Sequence, residues 1–350
     1  MQAAEHSSHK IARDSAVLIH TTDTGPGLRR IGAGKGFYYR NDAGERITDP
    51  QVLARIRALA IPPAWRDVWI CPEAAGHIQA TGRDARGRKQ YRYHPDWTAR
   101  RDAAKFAGLA GFARCLPRLR RQVAADLRRR GLVRERVLAA AVRLLDATLI
   151  RIGNDAYASE NSSYGLTTLR NRHLSLSGPE LRLSFIGKSG QTWRLRLSDR
   201  RLARVIRDLQ ELPGQRLFQY PDDKGTCHDI HSHDVNAYLR RVMGDDVTSK
   251  HFRTWGATVQ AARALARLPL PGTPRARATA LNAVLDDVAK RLHNTRTVCR
   301  KCYVHPAAIS EWEAGTLAQR LAAIERRLRR PGPGMSTGEA VVLRWLERAE

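Results

Sequence analysis

A tyrosine set among cations marks the place in this chain where residue types suggest chemistry: His293-Asn294-Thr295-Arg296-Thr297-Val298-Cys299-Arg300-Lys301-Cys302-Tyr303. A phenol has a pKa of about 10, so only about one in a thousand is ionised at neutral pH. Neighbouring cations ease that ionisation and attract phosphate, which makes Tyr303 a candidate nucleophile toward a phosphodiester. Taken alone, a tyrosine at a helix end is more often a packing residue. Four polar residues upstream, Arg151, Lys188, Arg253 and Asn294, give the candidate its weight.

Each needs an element to hold it. A helix near Glu135 to Ile150 sets Leu138, Val142, Leu145 and Leu149 on one face and runs into Arg151. A guanidinium half-buried there needs an anion, either Asp155 or Glu160 or a substrate phosphate. Leu181 to Ile186 and Gln191 to Leu197 alternate on either side of Gly187-Lys188-Ser189-Gly190, which predicts a hairpin with Lys188 at its tip. Such a lysine either keeps the surface soluble or is carried into a groove. Thr248-Ser249 predicts an N-cap that puts Arg253 in the first turn of a helix, where the dipole favours an anion; the alternative is a surface arginine paired with Asp245 or Asp246. Asn294-Thr295 reads as another N-cap after a helix over 275–292. Residues nine apart on a straight helix face opposite sides, so Asn294 and Tyr303 can share a site only if the chain bends between them.

The remaining pattern divides the chain into residues 1–95 and 96–350. The first part reads as short strands (Ala16 to His20, a hairpin from Gly36 to Thr48, Val68 to Ile70, His77 to Ala80) around one helix over 50–60. It ends in a basic stretch where Arg88 and Lys89 can hold phosphates and Gln90, Tyr91 and Tyr93 can reach bases or sugars; the alternative is a solvated hairpin. The second part turns helical, with helices over 99–113 and 116–130. Nine arginines between Arg114 and Arg136 are dense enough to follow a phosphate backbone. Further helices are expected over 199–212 and 234–243. The tail, two amphipathic helices over 316–328 and 337–346 around a Pro-Gly linker, carries no chemistry.

Composition restricts the partner. The 350 residues are 42% hydrophobic and 27% charged, ordinary for a chain with a substantial core, but 61 basic against 34 acidic residues leave +27. That field favours a polyanion, and nucleic acid is the commonest large one. No apolar run approaches the roughly 18 residues of a membrane span and Met1 to Arg13 lacks the apolar core of a signal peptide, so a cytoplasmic protein is expected. Five cysteines, an odd count, suggest reduced thiols. The groups Cys227/His228/His231/His233 and Cys299/Cys302 with His293 and His305 lack finger or ribbon spacing, so no metal is expected.

In order, Gly32 to Gly36, Gly87-Arg88-Lys89-Gln90-Tyr91-Arg92-Tyr93, Arg151-Ile152-Gly153-Asn154, Gly187-Lys188, Lys250-His251-Phe252-Arg253-Thr254 and Cys299-Arg300-Lys301-Cys302-Tyr303 resemble the motifs of type IB DNA topoisomerases, most closely their small poxvirus-like bacterial branch. The resemblance runs from Gly32 to about Pro306. It implies an α+β protein: a small β-rich N-terminal domain plus a larger, mainly α catalytic domain of the tyrosine recombinase and type IB topoisomerase kind, closing as a clamp on duplex DNA. It also implies a monomer that relaxes supercoils without ATP or metal, close to the nucleoid. Tyr303 would form a 3′-phosphotyrosine, Arg151 and Arg253 would grip non-bridging oxygens, Lys188 would protonate the leaving 5′ oxygen, and Asn294 would donate to a non-bridging oxygen. Viral members carry His where this chain has Asn294, and His293 stands next to it; the nine-residue interval to the tyrosine favours Asn294. Tyrosine recombinases use a similar set but typically place His where Lys250 stands. A non-enzymatic DNA-compacting protein would explain the charge and not the order of residues.

Overall fold

The computed structural model describes residues 18–34, 36–85, 87–328 and 330–348, with the backbone alone for 101–105 and 157. Ala16, Val17 and Lys35, on which two of the sequence expectations partly fall, lie outside the described residues. The chain parts into two compact units, Met1–Ala104 and Lys105–Glu350.

The first unit is an antiparallel sheet backed by one helix. Its strands are β1 (Leu28–Ala33), β2 (Gly36–Arg40), β3 (Arg66–Ile70), β4 (Ile78–Arg83) and β5 (Lys89–Tyr93), in the order β2-β1-β3-β4-β5. Helix α1 (Pro50–Ala58) starts where Asp49 accepts from the amides of Gln51 and Val52, with Pro50 at its first position. Its Ile56 packs with Leu28, Val68, Ile70 and Ala80. The expected Gly36 to Thr48 hairpin is not the main pairing of β2. That strand runs against β1, and Glu45 to Thr48 contributes only an Arg40 to Arg46 bridge, because Asn41 to Gly44 closes a tight turn with little strand behind it. Similarly, Ala16 to His20 is represented by one bridge, Ile19 to Gly76.

Helix α2 (Pro95–Ala107) follows, and the second unit is mainly helical. The expected break between two arginine-rich helices falls at Gly108 instead: α3 (Leu109–Asp126) continues through Pro117. A missing amide costs the helix one hydrogen bond, but Leu109, Phe112, Leu116 and Leu119 are buried on both sides of it. Helix α4 (Arg134–Thr148) buries residues all round, as a central helix must, and ends on Leu149 in the left-handed conformation (φ 58°). Then come α5 (Asp155–Asn161), β6 (Leu174–Ser177), β7 (Glu180–Ile186), β8 (Thr192–Ser198), α6 (Arg200–Gln210), β9 (Gln219–Pro221), β10 (Cys227–Asp229), α7 (Ser232–Met243), α8 (Lys250–Ala266), α9 (Pro274–Leu292), α10 (Arg296–Cys302), α11 (Pro306–Glu313), α12 (Leu317–Arg327) and α13 (Thr337–Leu346). The hairpin is as expected, with Leu183 opposite Leu195 and Phe185 opposite Trp193. Strand β6, too short to announce itself in sequence, pairs with β7.

The arginine run is mostly engaged within the protein. Arg114 pairs with Glu347, Arg120 with Asp146 and Glu339, Arg129 with Asp126, Arg134 with Asp234 and Arg136 with Asp208, so five of the nine arginines have carboxylate partners within the protein. Arg120 makes the most extensive of these contacts. Its guanidinium spans both Asp146 oxygens (2.7 and 2.9 Å), both Glu339 oxygens (2.8 and 3.0 Å) and the Gly334 carbonyl (2.8 Å), tying α3, α4 and α13 together. Burial opposes ionisation of Glu339, but the Arg120 and Ser336 hydrogen bonds outweigh it and hold its pKa down to about 2. Arg120→Ala strands two carboxylates in a low-dielectric setting and should cost about 3–5 kcal/mol, read as a shift in urea midpoint.

Acid should loosen this unit through its histidines. His173 is buried, and its Nδ1 accepts from the Arg170 amide, which requires the neutral ring. Burial, with the charges of Arg172 and Arg170, pushes its pKa down to about 4. A folded-state pKa below the unfolded value means stability is complete above about 6.5 and is lost as pH falls toward 4. Denaturant midpoints measured across that window should fall, and His173→Gln should flatten the fall.

Candidate active site

The site forms where three helix ends meet. Arg253, on the first turn of α8, is 3% exposed and is not the surface residue paired with Asp245 or Asp246 that local sequence allowed. Its two terminal nitrogens donate to the carbonyls of Leu149 and Leu292, the first just past α4 and the second the last residue of α9. Both are helix C-termini, where unpaired carbonyls carry partial negative charge. Two backbone groups on separate helices therefore fix the guanidinium, and its carbon stands 5.0 Å from the centroid of the Tyr303 ring.

Arg151 enters from the segment after α4. Its carbonyl accepts from Leu166 (2.8 Å), and the next carbonyl, Ile152, accepts from both the amide and the hydroxyl of Thr167. A Cβ on Gly165 would lie 2.6 Å from the Arg151 oxygen, so only glycine permits this crossing. Asp155, offered by sequence as the arginine's partner, is taken by Arg216 and His231. Among the described residues no carboxylate pairs with Arg151 or Arg253. Burial, then the charge of Arg253, lowers the proton affinity of Arg151, with Tyr303 and Cys299 acting in the opposite direction.

The chain leaves α9 through a left-handed His293 (φ 45°), and the break that Asn294 and Tyr303 require lies at Thr295, whose backbone is extended (φ −89°, ψ 153°). Thr295 then caps α10 by accepting from the Val298 amide. Tyr303 closes that helix, half-buried, with its carbonyl receiving the Thr258 hydroxyl (3.1 Å). The Asn294 side-chain oxygen accepts from the Thr295 amide. His293 is occupied elsewhere, its ring stacked on Trp193 at 4.1 Å. Burial and both arginines hold its pKa below the usual imidazole value, favouring the neutral form. Cys299 is buried beneath, its thiol pushed up to about 11 by that burial despite the arginines.

Among the described residues, buried side-chain donors that lack any partner sit on Arg151 (Nη1), Arg253 (Nε) and Asn294 (Nδ2), and also on Trp97 (Nε1) and Arg136 (Nε). Unpaired buried donors are costly and uncommon. Three of these five belong to residues singled out from sequence, and Arg253 lies over a phenol. The arrangement suits a tetrahedral or pentacoordinate anion carrying two negative oxygens. Lys188 is exposed at the tip of the β7/β8 hairpin, whose Trp193 lies against His293.

In the first unit the basic stretch forms the edge strand β5. Tyr91 and Tyr93 are exposed and stacked, ring centroids 5.8 Å apart, with the Lys89 ammonium 5.6 Å from the Tyr91 ring and bonded to Asp23 (2.6 Å). Arg88 and Gln90 both donate to Asp84. Sequence reasoning missed Trp193 and Thr258, since a tryptophan on the inward face of a hairpin and a threonine inside a helix read as core.

Residues 91–328 match the family model described as the catalytic core of eukaryotic DNA topoisomerase I, and residues 36–84 match the N-terminal domain of bacterial DNA topoisomerase IB. The chain belongs to the type IB DNA topoisomerases, isomerases that act on DNA. It is 33% identical over 286 residues to DNA topoisomerase 1B of Acanthamoeba polyphaga mimivirus, covering 79% of this chain and 85% of that one. Against DNA topoisomerase 1B of vaccinia virus (strain Copenhagen) it is 27% identical over 159 residues, 44% of this chain and 51% of the viral one. DNA topoisomerase 1 of Schizosaccharomyces pombe is 28% identical over 139 residues, 39% of this chain and 16% of the yeast one. The bacterial N-terminal match and the viral relatives together define a poxvirus-like bacterial enzyme. No helix among the described residues is long and apolar enough to cross a membrane.

Proposed function

We propose that this enzyme relaxes duplex DNA by a pair of transesterifications at one phosphorus. The Tyr303 oxygen bonds to phosphorus as the bond to the 5′ oxygen breaks, leaving a 3′-phosphotyrosine and a free 5′ hydroxyl. Overall the proton lost by the phenol is matched by one gained at the 5′ oxygen, delivered by the Lys188 ammonium. Arg151 and Arg253 hold the non-bridging oxygens as negative charge builds on them, and Asn294 adds a neutral donor. After the free end has turned, the 5′ hydroxyl attacks the phosphotyrosine and restores the strand. Each step exchanges one diester for another, so neither ATP nor metal is called for. One chain supplies every group, consistent with a monomer working on chromosomal DNA in the cytoplasm.

The observation that carries this reading is the set of unpartnered buried donors on Arg151, Arg253 and Asn294 beside Tyr303. Asn294 is favoured over His293 because the His293 ring is committed to Trp193. For the first unit, Lys89, Tyr91 and Tyr93 suit contact with phosphate and sugar, and Arg88 and Gln90 become available by exchange from Asp84. Trapping on a nicked suicide duplex should give a covalent band on a denaturing gel, carried by the fragment upstream of the break, whose 3′ phosphate is joined to the tyrosine. Lys188→Ala should cleave about 10²–10⁴ times more slowly, the ordinary contribution of a positioned acid. Replacing the scissile 5′ oxygen by sulfur, a leaving group that needs no acid, should restore cleavage in that variant; no restoration would deny Lys188 the role.

A further inference from the structure

Trp193 forms a link between the two halves of the reaction centre that the residue roles above do not use. It is 1% exposed, on β8, opposite Phe185 and stacked with it at 5.8 Å and 7°. One edge of the indole lies against the neck of the hairpin. A Cβ built on Gly187 would stand 2.7 Å from the indole nitrogen and 2.8 Å from Cδ1, so the backbone just before Lys188 rests directly on this ring. Gly187 and Gln191 also close the neck, through the Gly187 amide to the Gln191 carbonyl at 2.8 Å.

The other contact of the indole is His293, at 4.1 Å and 26°. That residue has a left-handed backbone, a common way for a helix to end, and closes α9. Burial, with the charges of Arg253 and Arg151, holds its pKa below the usual imidazole value and favours the neutral ring. The left-handed turn at His293 directly precedes Asn294, whose amide nitrogen is a buried donor without a partner. One side chain thus spans from the peptide before Lys188 to the residue before Asn294.

We propose that Trp193 is a positioning residue that holds the Lys188 hairpin in register with the His293 bend, so that the proton donor and the phosphate-binding donors address the same phosphorus. It touches no reacting atom. The inference rests on the general-acid reading of Lys188, and the two fail differently. A misplacement of about 1 Å in a catalytic group typically costs about a hundredfold in rate. Single-turnover cleavage by Trp193→Leu should therefore slow about a hundredfold, while binding of uncleaved duplex, measured with Tyr303→Phe also present, stays within about twofold.

The deciding measurement is leaving-group rescue. On a duplex with sulfur at the scissile 5′ position, Trp193→Leu should recover most of its lost rate, in parallel with Lys188→Ala. If sulfur rescues Lys188→Ala but leaves the Trp193→Leu defect in place, Trp193 serves only as core and the proposal is overturned. A Trp193→Leu enzyme that cleaves ordinary DNA at full rate overturns it as well. If sulfur rescues neither variant, the acid role of Lys188 is what has failed, and the positioning claim goes with it. Trp193→Phe keeps an aromatic body between Gly187 and His293. It should show a smaller, equally rescuable defect, and it supplies the same two readings if Trp193→Leu does not fold.

Discussion

Tyr303→Phe leaves a protein that binds DNA with undiminished salt sensitivity and forms no covalent adduct. The substitution removes one oxygen and little else. The ring still packs under the Arg253 guanidinium, the Tyr303 carbonyl still receives the Thr258 hydroxyl, and the fold has no reason to change. With Tyr303 as the proposed nucleophile, plasmid relaxation and the denaturing-gel band should both fall below detection. Binding, dominated by phosphate contacts and a formal charge of +27, should keep its slope against the logarithm of salt concentration. Relaxation by this variant at anything near the original rate would remove Tyr303 from the mechanism.

Arg253→Lys and Arg253→Ala should both be severe, and for separable reasons. Lysine keeps the charge, but a point cation cannot satisfy the Leu149 and Leu292 carbonyls and still present a third donor to phosphate. Cleavage should fall about 10²–10³-fold, the usual cost of one preorganised donor to a developing oxyanion. Alanine adds a structural penalty, because two carbonyls at the ends of α4 and α9 lose their partner, at about 1–3 kcal/mol each. Rapid-quench cleavage and a urea melt on the same two variants separate these effects. Lysine should lose mainly rate, alanine both rate and midpoint.

The contrast between Arg253 and Tyr303 shows where sequence was informative. The order Arg151, Lys188, Arg253, Asn294, Tyr303 was readable because each residue sits next to a signal of its own: the end of an apolar helix face, a Gly-bounded turn, a cap, a bend. The hairpin over 181–197 was plain for the same reason, since alternation and turn chemistry agree. Partners at long range were not readable. Nothing local says that Asp155 belongs to Arg216 and His231, or that Arg253 will leave Asp245 and Asp246 for two carbonyls more than thirty residues away in either direction. The charge density of the Arg114 to Arg136 run likewise named none of its internal partners, because the acids that pair with it come from distant parts of the chain. The sequence pattern puts the boundary between residues 113 and 116, whereas the chain breaks at Gly108 and α3 runs on through Pro117, with burial on both sides of it.

The Arg120 knot also bears on how this enzyme can be cut down or joined to other proteins. Glu339 of α13 accepts from Arg120 and from the Trp255 indole, Trp345 donates to Glu311, and Glu347 meets Arg114. Trp255 lies two residues from Arg253, so removing the stretch from Ser336 onward would unbrace the very helix that carries an arginine of the reaction centre. A trimmed enzyme ending at Leu328, attractive because the motifs stop near Pro306, would give up the outer wall of α8 and should be harder to purify than to design.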